Sequence, residues 1–312
     1  MKLAITSSDL VKRVGAENAY RMIHEVGFEG IDWGLYTLLS VRSQALTAKE
    51  LKDLCILERP LPEVLDALRP ELEAMKKYDL QVSQIHAPFP FYFPGREDIF
   101  AYCLPIYERC IELSEAVGCP YVIIHGQAPA TGSTLPGDDP AYVDELNRRM
   151  YESLIPTLQK TNVIVCLENL YRTGPAATYY EGHAADPHLA AAEIDALNAK
   201  AGKECFGLCL DTGHLNMLSK RFFGYVPVLG KRLRALHVHD NPGNHDSHLT
   251  PYSGTVNWRE FTAELRKIGY AGPMTFEVIS QFSESRLPDE LIPAFLRLTR
   301  EIGDYFRKEV QG

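Results

Sequence analysis

Eight short runs of β-branched and other apolar residues recur along the chain, and helix-like segments fill the spaces between them. The runs are KLAIT (2–6), GIDWG (30–34), VSQIHAP (82–88), YVIIHG (121–126), VIVCLEN (163–169), FGLCLDT (206–212), ALHVHD (235–240) and PMTFEV (273–278). In the intervening segments, such as 97–118 and 288–308, Leu, Ile and Phe recur at helical spacing with charge on the opposite side. Strands that are covered on both faces read as near-continuous apolar runs, as a parallel sheet under helices requires. Eight such alternations predict an α/β fold, a (β/α)8 TIM barrel, rather than an open doubly wound sheet. With no internal repeat or linker in view, residues 1–312 read as one domain. No GxGxxG follows any of the runs, so the glycine fingerprint of a dinucleotide site is missing. The stretches 37–62, 127–140, 170–187 and 241–257 follow strands and exceed what barrel closure needs. They predict elongated loops at the C-terminal face, where barrel enzymes bind ligands.

Charge and cysteine usage narrow the partners. Lys and Arg number 32 against 41 Asp and Glu, a formal net charge of −9, with no basic run. Nucleic acid is therefore not an expected partner, since phosphate binding needs clustered cation. No apolar stretch reaches the ~18–20 residues of a membrane span, and MKLAITSSDLVKR passes directly into polar residues, so a cytoplasmic protein without a membrane partner is expected. The seven cysteines form no CxxC pair and several sit in apolar runs, which reads as buried free thiols in a reducing compartment.

The chemistry lies where polar residues interrupt the apolar runs. His86, His125, Glu168, Asp211, His237 and Glu277 fall at or near the C-terminal ends of runs three to eight. A buried carboxylate is costly unless paired, hydrogen-bonded or bound to a cation. Three of them converge without a Lys or Arg on the same strand ends, and a divalent ion resolves that conflict. Glu168, Asp211, His237 and Glu277 would form a hard, oxygen-rich ligand set suited to Mn2+ first, with Mg2+, Co2+ or Zn2+ as alternatives. His86, His125 and His214 would stand in a second ring, orienting substrate hydroxyls, moving protons or holding further metal. Each residue has a plainer reading beside this one. A single strand-end histidine can be structural, and Glu168-Asn169 or Asp211-Thr212-Gly213 can cap the helix that follows. His239 lies two residues from His237 and points the same way, toward substrate or toward the ligands.

The elements IHAP (85–88), IHG (124–126), LEN (167–169), DTGH (211–214), LHVHD (236–240), HDSHL…GTVNW (245–258) and FEV (276–278), taken in this order, resemble the xylose-isomerase-like barrel superfamily, in its sugar phosphate isomerase/epimerase and endonuclease IV branch. The resemblance spans essentially the whole chain. It implies one divalent ion on Glu168, Asp211, His237 and Glu277, with Glu168 and Glu277 as the catalytic pair. These two would exchange a substrate proton next to a metal-bound carbonyl, through an enediolate. His214 would hydrogen-bond substrate oxygens. Asp246 and His248 match the Asp-x-His with which the family's repair endonucleases, together with the residue matching His214, hold an additional zinc. In single-metal members the segment faces substrate instead, so His248 stands between substrate binding and a turn role. Ketose 3-epimerases of the group carry an arginine shortly after the strand-seven histidine, whereas HDNPGNHD has none.

The expected activity is a metal-dependent isomerase or epimerase of a sugar, keto-sugar or polyol derivative. The alternatives are a lyase or dehydratase acting on an oxidised sugar, glycoside or inosose, an endonuclease IV-type hydrolase, and a non-catalytic sugar-binding module. Trp33, Tyr36, the run 88–94, Tyr171, Tyr179, Tyr180 and Tyr252 would ring the mouth, stacking on carbohydrate or packing loops against the barrel. Trp258 would seat the following helix. Arg172 would hold a substrate phosphate or carboxylate, or form a surface ion pair. Nothing resembles a phosphate cradle, which favours an unphosphorylated small carbohydrate. Homo-oligomer formation stays open.

Overall fold

The computed structural model describes residues 1–35, 55–89, 97–127, 140–174, 178–282 and 287–312. The strands are β1 (Leu3–Thr6), β2 (Gly30–Gly34), β3 (Gln81–His86), β4 (Tyr121–Ile123), β5 (Ile164–Glu168), β6 (Tyr171–Thr173), β7 (Tyr179–Glu181), β8 (Phe206–Asp211), β9 (Leu233–His237) and β10 (Met274–Phe276). Eight of them form one parallel sheet in the order β10-β1-β2-β3-β4-β5-β8-β9. A parallel bridge between Val238 and Phe276 joins the ends of that order, with Val238 N donating to Thr275 O at 2.8 Å and Glu277 N to Val238 O at 3.1 Å. The barrel is therefore closed, as the eight apolar runs predict. The remaining pair, β6 and β7, forms an antiparallel hairpin in the loop after β5.

The helical layer comprises α1 (Ser8–Val14), α2 (Ala16–Glu25), α3 (Leu61–Ala67), α4 (Arg69–Lys77), α5 (Glu97–Val117), α6 (Pro140–Ser153), α7 (Ile155–Leu158), α8 (Pro187–Ala201), α9 (Thr212–Met217), α10 (Phe222–Leu229), α11 (Trp258–Lys267) and α12 (Ile292–Gln311). The two segments expected to be helical at 97–118 and 288–308 are α5 and α12. Local chemistry sets the helix ends. Asp186 caps α8 by accepting from the His188 and Leu189 amides, and Gly202, at φ 73°, closes that helix in the left-handed region that favours glycine. Asn257 caps α11 through the Glu260 amide. Trp258 then seats that helix, stacking on Phe306 at 5.2 Å between centroids and giving its indole N–H to Asp240 at 3.0 Å. No helix among the described residues is long and apolar enough to cross a membrane.

Two apolar regions hold the barrel. The larger lies between the sheet and the helices, where Ile31, Ile85, Val165, Leu208 and Leu236 meet residues such as Tyr20, Ile106, Ile194 and Phe306. The smaller is inside the barrel and consists of Ile123, Cys166, Cys209 and Ala235, one from each of four successive strands. All seven cysteines are buried and free. Three of the four inward residues are Cys or Ala, small enough to share the narrow interior.

Candidate active site

Successive residues of a strand point to opposite faces, so the positions two beyond the inner apolar group must also face inward. Those positions are His125, Glu168, Asp211 and His237. The alternation that builds the barrel floor thus places a polar layer directly above it. Glu277 follows β10, His86 ends β3, and all except His125 are buried.

The distances define a continuous cluster. Glu168 Oε2 lies 3.1 Å from His125 Nε2 and 3.2 Å from His237 Nδ1, while Glu168 Oε1 lies 3.2 Å from His214 Nδ1. Glu277 Oε2 lies 3.7 Å from the same His237 Nδ1 and 3.5 Å from His248 Nδ1. Asp211 divides its work: Oδ1 accepts from the His214 amide at 2.6 Å as the cap of α9, and Oδ2 lies 2.9 Å from His239 Nε2. Ligand-type atoms of Glu168, Asp211 and His214 lie within 4.8 Å of one another, as do those of Asp211, His239 and Glu277, of His86, Glu168 and His237, and of His239, Asp246 and His248. Asp246 Oδ2 is 3.3 Å from both His214 Nε2 and His248 Nε2.

Burial and charge act against each other here. Burial alone would raise Glu168, but His125 and His237 beside it hold its carboxyl well below the ordinary range. Burial raises Glu277, and the nearby Asp211 adds to the rise against the opposing pull of His237 and His248. The two glutamates thus stand on opposite sides of the usual carboxylate value. Burial lowers His86 to about 3, helped by His125, so its imidazole is neutral; its Nδ1–H donates to Ala87 O at 2.8 Å. Against its burial, His248 is raised to about 9 by Glu277 and Asp246.

The donor set fits a divalent cation. The His237 ring is fully buried, its Nδ1 stands between the two glutamates, and neither ring nitrogen has a hydrogen-bond partner. Asp211 reaches both glutamates through the shared groups. Among the described residues, no Lys or Arg lines the cavity of about 390 Å3 above these side chains. Its walls come from His86, Phe89, His125, Glu168, Tyr171, His214, Asp246, His248 and Glu277, among others. Carboxylate and imidazole without thiolate suit a hard or borderline ion.

The structure brings together the four candidate metal ligands and four of the six candidate substrate-binding residues. His86, His125, His214 and His248 all line the cavity, and Tyr171 places its ring edge on His214 at 5.0 Å. Two expected substrate contacts lie elsewhere. Trp33 faces the helices, 3% exposed, with its indole N–H donated to Glu71 at 3.0 Å. Arg172 sits on the β6–β7 hairpin, donates to Glu181 O, and lines a separate cavity between α6 and α8. Tyr252 packs on Trp258 and Phe306, and Tyr180 is exposed on the hairpin. Tyr36 and residues 90–94 lie outside the described residues. Sequence reasoning missed Asp32, whose Oδ2 lies 3.3 Å from His237 Nε2. Period-two alternation in GIDWG was the available signal, since Asp32 and Trp33 must face opposite sides. A glycine at 213 is required by packing: a β-carbon there would collide with the His239 ring that contacts Asp211.

Comparison with known proteins places this geometry in context. The xylose isomerase-like TIM barrel family matches residues 21–299. "Uncharacterized protein y4fM" of Sinorhizobium fredii is 26% identical over 174 residues, 54% of this chain and 50% of that protein, so the alignment spans about half of that relative's length. Among solved structures, a D-tagatose 3-epimerase-like protein superposes with a TM-score of 0.69 at 18% identity, covering 99% of this chain and 98% of that one. The 3-keto-D-glucoside 4-epimerase YcjR of E. coli superposes with a TM-score of 0.65 at 18% identity, covering 99% of each chain. At these identities the structural likeness establishes the shared fold. Matched across its barrel by the family's sequence pattern, the chain belongs to the xylose isomerase-like TIM barrel family.

Proposed function

We infer that this protein is a divalent-metal-dependent isomerase or epimerase of a small, unphosphorylated sugar, keto-sugar or polyol derivative. The carrying observation is the convergence of Glu168, Asp211 and Glu277, all buried, on histidines and on no Lys or Arg among the described residues, with His237 Nδ1 between the two glutamates. The epimerase names of the structural neighbours support the same class. Glu168, Asp211, His237 and Glu277 would hold the ion, with Mn2+ as the first candidate and Mg2+, Co2+ or Zn2+ as alternatives. When bound, such an ion supplies a Lewis acid that polarises a carbonyl and its neighbouring hydroxyl, acidifying the C–H between them.

The remaining steps belong to the protein's own side chains. One of Glu168 and Glu277 takes the proton from the substrate carbon, and the other delivers one to the opposite face or to the adjacent carbon. His214, fixed by Asp246 and by its Nδ1–H bond to Asn169 O, orients substrate oxygens, with His86, His125 and His248 around them. Phe89 and Tyr171 give the carbohydrate C–H faces an apolar wall. Among the described lining residues there is no Lys or Arg to clamp a phosphate in bidentate fashion.

The test is a deuterium wash-in screen in D2O over keto-sugars, inososes and 3-oxo-glycosides, run on protein whose metal content has been measured. Exchange with conserved substrate mass supports isomerisation or epimerisation. Exchange with loss of a group assigns the lyase alternative, and no exchange in a metal-loaded sample removes both.

A second reading, a multinuclear zinc hydrolase, is favoured by one observation: His214, Asp246 and His248 make a second ligand-like group at 3.3 Å contacts beside the first. One ion per chain by elemental analysis supports the isomerase reading, and two or three zinc ions per chain support the hydrolase.

A further inference from the structure

The His237 imidazole poses a problem that its contacts with the glutamates leave open. An imidazole can offer a lone pair from Nδ1 only while its proton sits on Nε2, and a buried Nε2–H needs an acceptor. The ring is fully buried in the polar layer above the apolar floor, parallel to His86 at 5.5 Å between centroids and 10°. The carboxylate oxygen beside Nε2 is Asp32 Oδ2, at 3.3 Å but not aligned as a hydrogen bond, so a small turn of either side chain completes the contact; it comes from the second strand, on another wall of the barrel. Asp32 is itself 1% exposed, and its other oxygen, Oδ1, has no hydrogen-bond partner. A carboxylate this deep without a Lys or Arg partner costs stability. Among the described residues it caps no helix, and its ion-pair neighbour is the imidazole.

We propose that Asp32 is a positioning residue for the ion site: its carboxylate fixes the His237 ring with the proton on Nε2, so that Nδ1 faces Glu168 and Glu277 with a free lone pair. The inference rests on the reading that His237 holds a divalent ion. A carboxylate behind a metal-binding histidine fixes the tautomer and raises ligand basicity, and its loss typically weakens metal binding about 10–100-fold. Asp32 touches no substrate; it acts through His237.

The test compares Mn2+ binding by wild type, Asp32→Asn and Asp32→Ser, following free Mn2+ by electron paramagnetic resonance, with melting of each metal-free protein measured alongside. The expected result is metal-free variants that melt at or above the wild-type temperature, because an unbalanced buried acid is gone, and a Mn2+ dissociation constant raised about 10–100-fold. Deuterium exchange should fall at limiting Mn2+ and recover when Mn2+ is saturating. Wild-type affinity in a folded variant overturns the proposal. Collapse of both metal-free variants also overturns it, since it assigns Asp32 to the fold. If the wild type itself binds no divalent ion, it is the isomerase reading that fails.

Discussion

Acidic side chains live under two regimes in this molecule. On the helical shell, Arg148 reaches Glu145 at 2.5 Å and Glu152 at 2.7 Å, Arg232 reaches Asp195 at 2.6 Å, and Arg234 reaches Glu204 at 2.7 Å, with most of these groups well exposed. Such pairs are solvated, screened and worth little. At the barrel mouth, Glu168, Asp211 and Glu277 are buried and meet histidines instead. The shell acids are neutralised by permanent cations and call for nothing further. Those at the mouth face partners that are either neutral, like His86, or charged only at the expense of a ligand lone pair, and a bound cation would settle their mutual repulsion.

Glu277→Gln and Glu168→Gln test that contrast most severely. Each should keep the barrel folded and slow solvent-deuterium exchange by about 10^2–10^4-fold, the range for a lost general acid or base. Exchange at the wild-type rate would break the assignment of the mouth acids. A smaller effect is expected from chelation. An ion held at about 100 times its dissociation constant stabilises the folded state by about 2.7 kcal/mol. Stripping it should lower the melting temperature by about 4 °C, reversibly on adding Mn2+. Unchanged melting would leave the mouth acids without their cation. Arg148→Ala, on the shell, should change stability by less than about 0.5 kcal/mol and leave exchange untouched. A larger loss would erase the distinction between the two regimes.

The barrel was legible because eight buried strands leave eight apolar runs, and the mouth was legible because a charged residue inside such a run is physically conspicuous. Glu168 in VIVCLEN and Asp211 in FGLCLDT are examples. The β6–β7 hairpin was not, since Tyr171–Thr173 and Tyr179–Glu181 are three residues each and carry no apolar alternation. In the sequence Arg172 stands between a ligand contact and a surface ion pair because a loop position fixes no direction; its bond to the Glu181 carbonyl is set by the hairpin register. For Trp33 and Asp32 the reason is different. An aromatic near the mouth drew attention on composition, while strand parity turns the ring toward α4 and its acidic neighbour inward. Asp211 shows that two readings can hold together, one carboxylate oxygen capping α9 while the other meets His239.

The missing side chain at position 213 has a consequence for how the DTGH segment should be read across related chains. The glycine leaves a gap as thick as one aromatic ring, and the imidazole lying in it is the one that steadies Asp211. A relative with alanine there must displace that ring or let the helix start swing outward, so this single small residue serves as a gauge of whether the two strand ends still meet as they do here.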